Sequence, residues 1–246
     1  MDADVDTSDV ESSDVEVDGG AGAGDDDAIE TDLDEGEGDG GLSWGKVAVL
    51  GVALAFLGFA VGLVVTRDRP PAADSADVGF LQDMITHHEQ AIEVALLVSA
   101  YGEDPTVRSF ASDILVFQDY EIGVMAQMLQ EWGYTRGDRS DQAMAWMDMP
   151  VPVEQMPGLL TPEEMDEISQ ARGAELDALF LDKMAEHHRG GIHMAEAAAD
   201  LADDADVRAL AERMVRNQSA EINEYRGAAQ ANGYDIEIDP APVPSS

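Results

Sequence analysis

The sequence predicts an all-α protein: a four-helix bundle built from two repeated helical hairpins, plus one N-terminal transmembrane helix. Three observations carry this. An uncharged stretch of 19 residues runs from Val47 to Val65. The chain behind it repeats with an offset of 100 residues. Within each repeat, apolar residues recur at steps of three and four, the period of one helix face, and strand patterns are almost absent.

Composition narrows the function classes. The chain has 246 residues, with 52 acidic and 13 basic side chains, five His, twelve Met and no Cys. Without Cys there is no disulfide scaffold, Cys-ligated zinc, iron–sulfur cluster or thiol catalysis. A net charge of −39 excludes unaided nucleic-acid binding, since no basic run can displace counterions from phosphates. It also argues against docking on anionic lipid. Residues 1–43 hold 17 acids and no base. They carry too little apolar surface to offset chain entropy, so an acidic disordered tail is expected there.

Residues 44–66 are the expected membrane span. Nineteen residues at a rise of ~1.5 Å reach about 28 Å, close to the bilayer hydrocarbon core. Trp44 sits at one edge, where interfacial aromatics collect. The stretch lies behind 43 residues and lacks a clear cleavage site, so it reads as an uncleaved anchor. Lys46 precedes it, while Arg67 and Arg69 follow; a one-charge excess alone would place the C-terminal side in the cytoplasm. Residues 67–76, containing Pro70 and Pro71, read as a linker.

The repeat is explicit. Phe80, Met84, His87 and His88 match Phe180, Met184, His187 and His188. The register continues without a gap through Val107/Val207, Gln118/Gln218, Glu121/Glu221 and Gly133/Gly233. Each unit reads as a helical hairpin, at 77–136 and 173–236. Asp104-Pro105 is a helix start, and Asp203 to Asp206 serve the same purpose in the second unit. Gly133 and Gly233 end the second helices. Two hairpins with one apolar stripe each bury them best against each other, giving a bundle with pseudo-twofold symmetry. Residues 137–172 are the crossover: a Met- and Pro-rich run, then a short helix opened by Thr161, Pro162 and Glu164 as a capping box. Residues 237–246 read as a disordered tail.

The chemistry concentrates on the paired histidines. His87 and His88 follow Met84 by three and four residues, so the three share a helix face. Gln118 and Glu121 sit on the inward stripe of the next helix. A buried carboxylate without a partner is very costly. Either His–Glu hydrogen bonds zip the hairpins together, or a metal is held between them, as helical bundles do with inward His and Glu. The candidate metal ligands are Met84, His87, His88, Glu121, Met125, Met184, His187, His188, Met194 and Glu221. Thioether and imidazole together favour copper, with other transition metals as second choice. Gln118-x-x-Glu121 is not the Glu-x-x-His of a di-iron site. His193 points away from this face. The cluster from Met144 to Met156 is either packing or a soft copper relay. No Ser/His/Asp set, phosphate loop or cofactor fingerprint is present.

These motifs resemble domain-of-unknown-function family 305 (DUF305). The resemblance rests on Phe-x-x-x-Met-x-x-His-His at Phe80–His88 and Phe180–His188, and on Gln-x-x-Glu-Ile at Gln118–Ile122 and Gln218–Ile222. The crossover from Trp146 through Leu160 is similar to membrane-anchored actinobacterial members. It covers about residues 75–235. It implies a ferritin-like bundle placed outside the cytoplasm, and some relatives bind copper. Met84, His87, His88, Met184, His187, His188 and Met194 fall on the family's His/Met positions, while Val94 stands where the first repeat often has Met. The expectation is a single-pass cell-membrane protein whose extracytoplasmic domain binds or buffers copper without catalysis. It has no nucleic-acid partner and leaves room for a homo-oligomer. The alternatives are a ferritin-like di-metal oxidase and a non-metal envelope adaptor.

Overall fold

The structure is a computed structural model that describes residues 43–65, 69–138 and 141–242. Nearly all of the expected acidic tail, residues 66–68 and the last four residues lie outside the described residues. The protein is all-α apart from one two-residue strand pair. The described residues fall into two units, divided between Val64 and Val65.

In the first unit, α1 (Trp44–Val65) is a 22-residue helix with Lys46 as its one charged residue. Its large apolar side chains, including Val49, Phe56 and Phe59, are exposed. Side chains beyond Phe59 lie outside the described residues, and among the described residues no helix is long and apolar enough to cross a membrane.

The second unit contains four long helices. They are α2 (Ala76–Tyr101), α3 (Pro105–Glu131), α5 (Gly173–Leu201) and α6 (Ala205–Asn232), with the short α4 (Pro162–Gln170) before α5. α2 packs on α3, α5 on α6, and the two pairs join along α2 and α5. The ends are capped as the sequence predicts. Asp104 Oδ1 accepts from the Thr106 and Val107 amides at 2.8 and 3.0 Å, and Asp204 Oδ1 from Asp206 and Val207 at 2.8 and 3.1 Å. Gly133 and Gly233 take left-handed φ of 86° and 69°, which only glycine adopts at low cost. The capping box of α4 is complete, with Thr161 and Glu164 bonded in both directions. Thr161→Ala should therefore cost about 1 kcal/mol, read as a shift in the urea midpoint with unchanged slope.

The loops are also tied across the two pairs. Asp77, in the first turn of α2, accepts from the Asp204 amide at 2.8 Å. Its repeat counterpart Asp177 accepts from the Glu103 and Asp104 amides at 3.1 and 2.7 Å. Each pair's first helix thus satisfies the otherwise orphaned amides where the other pair's second helix begins.

The core divides into two apolar clusters. One holds Ala91 to Val98 of α2, Val107 to Ile114 of α3, Leu176 to Ala185 of α5 and Ile222 to Ala229 of α6. The other holds Val78 to Ile85, Ile122 to Leu129, Met194 to Ala202 and Val207 to Val215. Between them, on all four helices, lies a polar layer.

The crossover is ordered. Strands β1 (Gln142–Ala143) and β2 (Val151–Pro152) pair antiparallel, and short 3₁₀ turns follow each of them. Buried Asp83 accepts from the Met144 amide at 2.7 Å and Trp146 Nε1 at 2.9 Å. Gln90 brackets both backbone groups of Leu160. Met144 and Met156 are buried in the second cluster, whereas Met149 is exposed. Pro157-Gly158 lies so close to α5 that a Cβ on Gly190 would stand 1.9 Å from the Pro157 oxygen.

One expectation is corrected. Residues 237–242 are not a disordered tail, because Ile238 and Ala241 are buried in the first cluster. Asn223 of α6 pairs with both backbone groups of Ala241, at 2.9 and 3.3 Å. Arg189 donates to the Asp239 carbonyl. An amide side chain that satisfies two backbone groups can hold such a segment without helix or strand.

Candidate metal centre

The layer between the apolar clusters consists of His87, His88, His187, His188, Gln118 and Gln218, all buried. The helix period puts them there: on α2 and α5 the two histidines follow the buried Met84 and Met184 by one turn. His88 Nε2 lies 2.9 Å from Glu121 Oε2, and His188 Nε2 lies 2.7 Å from Glu221 Oε2. The rings of His87 and His187 stack across the α2–α5 seam with centroids 3.8 Å apart and planes 37° apart. Tyr225 Oη stands 3.2 Å from His188 Nε2.

The protonation pattern follows from donor chemistry. An ionised carboxylate only accepts, so the Nε2 of each paired ring must donate. A neutral ring then keeps its lone pair on Nδ1. Both of those atoms, His88 Nδ1 and His188 Nδ1, are buried and make no hydrogen bond. Nor do both ring nitrogens of His87 and His187, or the side-chain oxygens of Gln118 and Gln218.

Burial keeps the stacked rings neutral. The pKa of His87 is pushed down to about 3, mainly by burial and then by the neighbouring His88 and His188, against a Pro157 backbone contact that falls short of hydrogen-bond geometry. His187 is held well below its ordinary value by burial, then by His87, His188 and His88. For Glu221, burial raises the pKa, but the His188 hydrogen bond and the electrostatic effect of the nearby His188 and His88 rings outweigh it and lower the pKa overall. Burial, then Glu221 and Glu224, push the Tyr225 phenol well up.

The thioethers are placed differently from the imidazoles. Met84, Met125 and Met194 are buried in one apolar cluster and Met184 in the other. They flank the layer from both sides. His193 is exposed. Among the described residues, no group of three or more His, Asp and Glu is arranged to hold a metal ion. The reason is local: two rings turn Nε2 toward carboxylates, and the other two stack on each other. The donors themselves suit a borderline or soft cation, since neutral imidazole nitrogens without partners are what such an ion takes.

Two contributors were not singled out in the sequence. Tyr225 lies one turn beyond Glu221 on the inward stripe, and its repeat counterpart is Met125, so the two halves of the layer differ. The Pro157-Gly158 strap was foreshadowed by Gly190-Gly191, a glycine pair inside a helix, which marks a close approach. Gly191 is where the Gln218 amide lies: a Cβ there would meet Oε1 at 2.4 Å.

Fold and layer together define a class: an all-α protein of two duplicated helical hairpins that enclose a buried histidine quartet. The chain belongs to the DUF305 family, whose model, described as "Domain of unknown function (DUF305)", matches residues 77–229. A DUF305 protein of Streptomyces coelicolor is 36% identical, with a TM-score of 0.62 over 66% of this chain and 96% of that one. A DUF305 fragment from Deinococcus radiodurans is 28% identical, with a TM-score of 0.54 over 63% of this chain and 96% of that one. CopM in the Cu(I)-bound form is 26% identical over 64% of this chain and 97% of that one, at a TM-score of 0.49. A likeness of that degree says nothing about what this chain binds. No curated protein matches the chain.

Proposed function

We propose that the protein holds a soft or borderline transition-metal ion, copper first among them, in the layer between its apolar clusters, without catalysis. One observation carries the reading: His88 and His188 each set Nε2 against a carboxylate and leave a buried Nδ1 without a partner. Carboxylates that orient an imidazole from behind are the usual outer partners of metal-ligating histidines. In this reading His87, His88, His187 and His188 are the ligands, Glu121 and Glu221 orient two of them, and Met84, Met125, Met184 and Met194 supply soft, apolar surroundings. The four long helices act as a ferritin-like four-helix bundle. Helix α1, with its exposed apolar side chains, serves as a single-pass anchor, and the bundle lies outside the cytoplasm.

A second reading has an observation of its own. The two His–Glu hydrogen bonds could simply join each α2–α3 and α5–α6 pair in an adaptor without metal. One variant separates the two. His87→Leu with His187→Leu removes four unpartnered nitrogens and leaves both His–Glu pairs intact. Under the metal reading, untagged variant protein loses the copper that wild type retains, measured by elemental analysis after dialysis. It also gains about 1 kcal/mol or more in metal-free stability, because buried polar atoms without partners are removed. Equal copper in both proteins, or none in wild type, overturns the metal reading.

A further inference from the structure

The proposed ion sits in a closed interior, so it needs a way in. Both ends of the layer are closed by the apolar clusters. The α5 side is covered by the Pro157-Gly158 strap, which presses on the backbone from Glu186 to Gly190. Between α3 and α6, which barely touch, a cleft of about 310 Å³ remains. Gln118 and Glu121 line one wall and Gln218, Glu221 and Glu224 the other, with Phe117 at the rim.

We propose that this cleft is the door through which a cation reaches the histidine layer, an inference that rests on the metal reading above. Three features support it. No Lys, Arg or His lines the cleft, while three carboxylates do, so its potential attracts cations. Glu121 and Glu221 are 13% and 30% exposed, whereas the His88 and His188 rings they touch are fully buried. Each carboxylate therefore spans solvent and imidazole in one step, and both do so in the same cleft. Gln118 and Gln218 line the cleft at 5% and 4% exposure, and their side-chain oxygens have no donor. Exposure falls from the carboxylates to the amide oxygens to the imidazole nitrogens, so the donors a cation could use run from solvent to the layer.

The route is tested on the full chain with Cu²⁺ delivered from a chromophoric chelator in a stopped-flow instrument. Ala220 lines the cleft and is half-buried. Ala220→Trp should fill the passage, slowing loading and release by one common factor, about tenfold or more if the ion must then wait for a local opening. Final stoichiometry stays at the wild-type value. Glu224→Gln, on the exposed lip, should slow loading at low salt by several-fold, and the difference should vanish at about 1 M salt, where charges are screened within ~3 Å. Circular dichroism confirms that both variants fold. Wild-type loading rates in a folded Ala220→Trp protein, together with a salt-independent Glu224→Gln, overturn the door alone. A wild-type protein that takes up no Cu²⁺ overturns the metal reading and the door with it.

Discussion

Metal-free protein should lose stability steadily as pH falls below about 6.5, by up to ~1.4 kcal/mol per pH unit for each of His87 and His187. In the folded chain both rings resist protonation, His87 down to about 3 and His187 well below its ordinary value. In the unfolded chain they protonate near the ordinary imidazole value of 6.5. Below that pH the unfolded state binds more protons, so folding is increasingly disfavoured as acid is added. For His87 the loss ends near pH 3, where the folded state also protonates. Lowered carboxylates such as Glu164 and Glu221 add their own losses only below about 4.5, the ordinary glutamate value. The window between pH 6.5 and 5 therefore reports the histidines. Urea titrations at half-unit intervals measure it, and the double His87→Leu, His187→Leu variant should flatten the slope. A wild-type stability that stays level from pH 7 to pH 5 contradicts the neutral, unpartnered stack.

Asp177→Ala should cost roughly 2–3 kcal/mol, because it removes a buried carboxylate that accepts two part-buried hydrogen bonds from backbone N–H groups at once. The Asp177 side chain is fully buried, accepts from the Glu103 and Asp104 amides, and takes a longer bond of 3.4 Å from the Tyr234 hydroxyl. The same neighbourhood, by burial first and then the Asp177 charge, pushes the Tyr234 phenol up to about 12. Asp77→Ala removes the partner of one amide, that of Asp204, and should cost about half as much. Asp177→Asn keeps an acceptor oxygen and should fall between the alanine variant and wild type. Chemical denaturation ranks the three. An Asp177→Ala protein within about 1 kcal/mol of wild type would remove the cross-cap from the account of stability.

The hairpins were legible because their cause is local. Apolar positions at helical period, Asp at the N-caps and glycine at the C-termini of α3 and α6 each act within a few residues. The offset of 100 then brought Glu121 and Glu221 to matching inward positions, and both meet the histidines assigned to them. What was not legible depends on partners far along the chain. Asp77 and Asp177 also repeat, but a backbone amide is their partner, and an amide leaves no mark in a sequence. The tail at 237–242 is short and Pro-rich, and distant partners order it: Asn223 of α6, Arg189 of α5 and the first apolar cluster. The crossover could be recognised as ordered, yet its role as a strap over α5 needed the clearance at Gly190.

By itself the sequence determined the helices, their pairing into duplicated hairpins and the layer on which the histidines fall, since period and capping act over single turns. Tertiary structure alone decided what each imidazole does there. Whether a ring stacks, as His87 and His187 do, or donates to a carboxylate, as His88 and His188 do, depends on how α2 and α5 meet, and burial then sets which nitrogens stay bare.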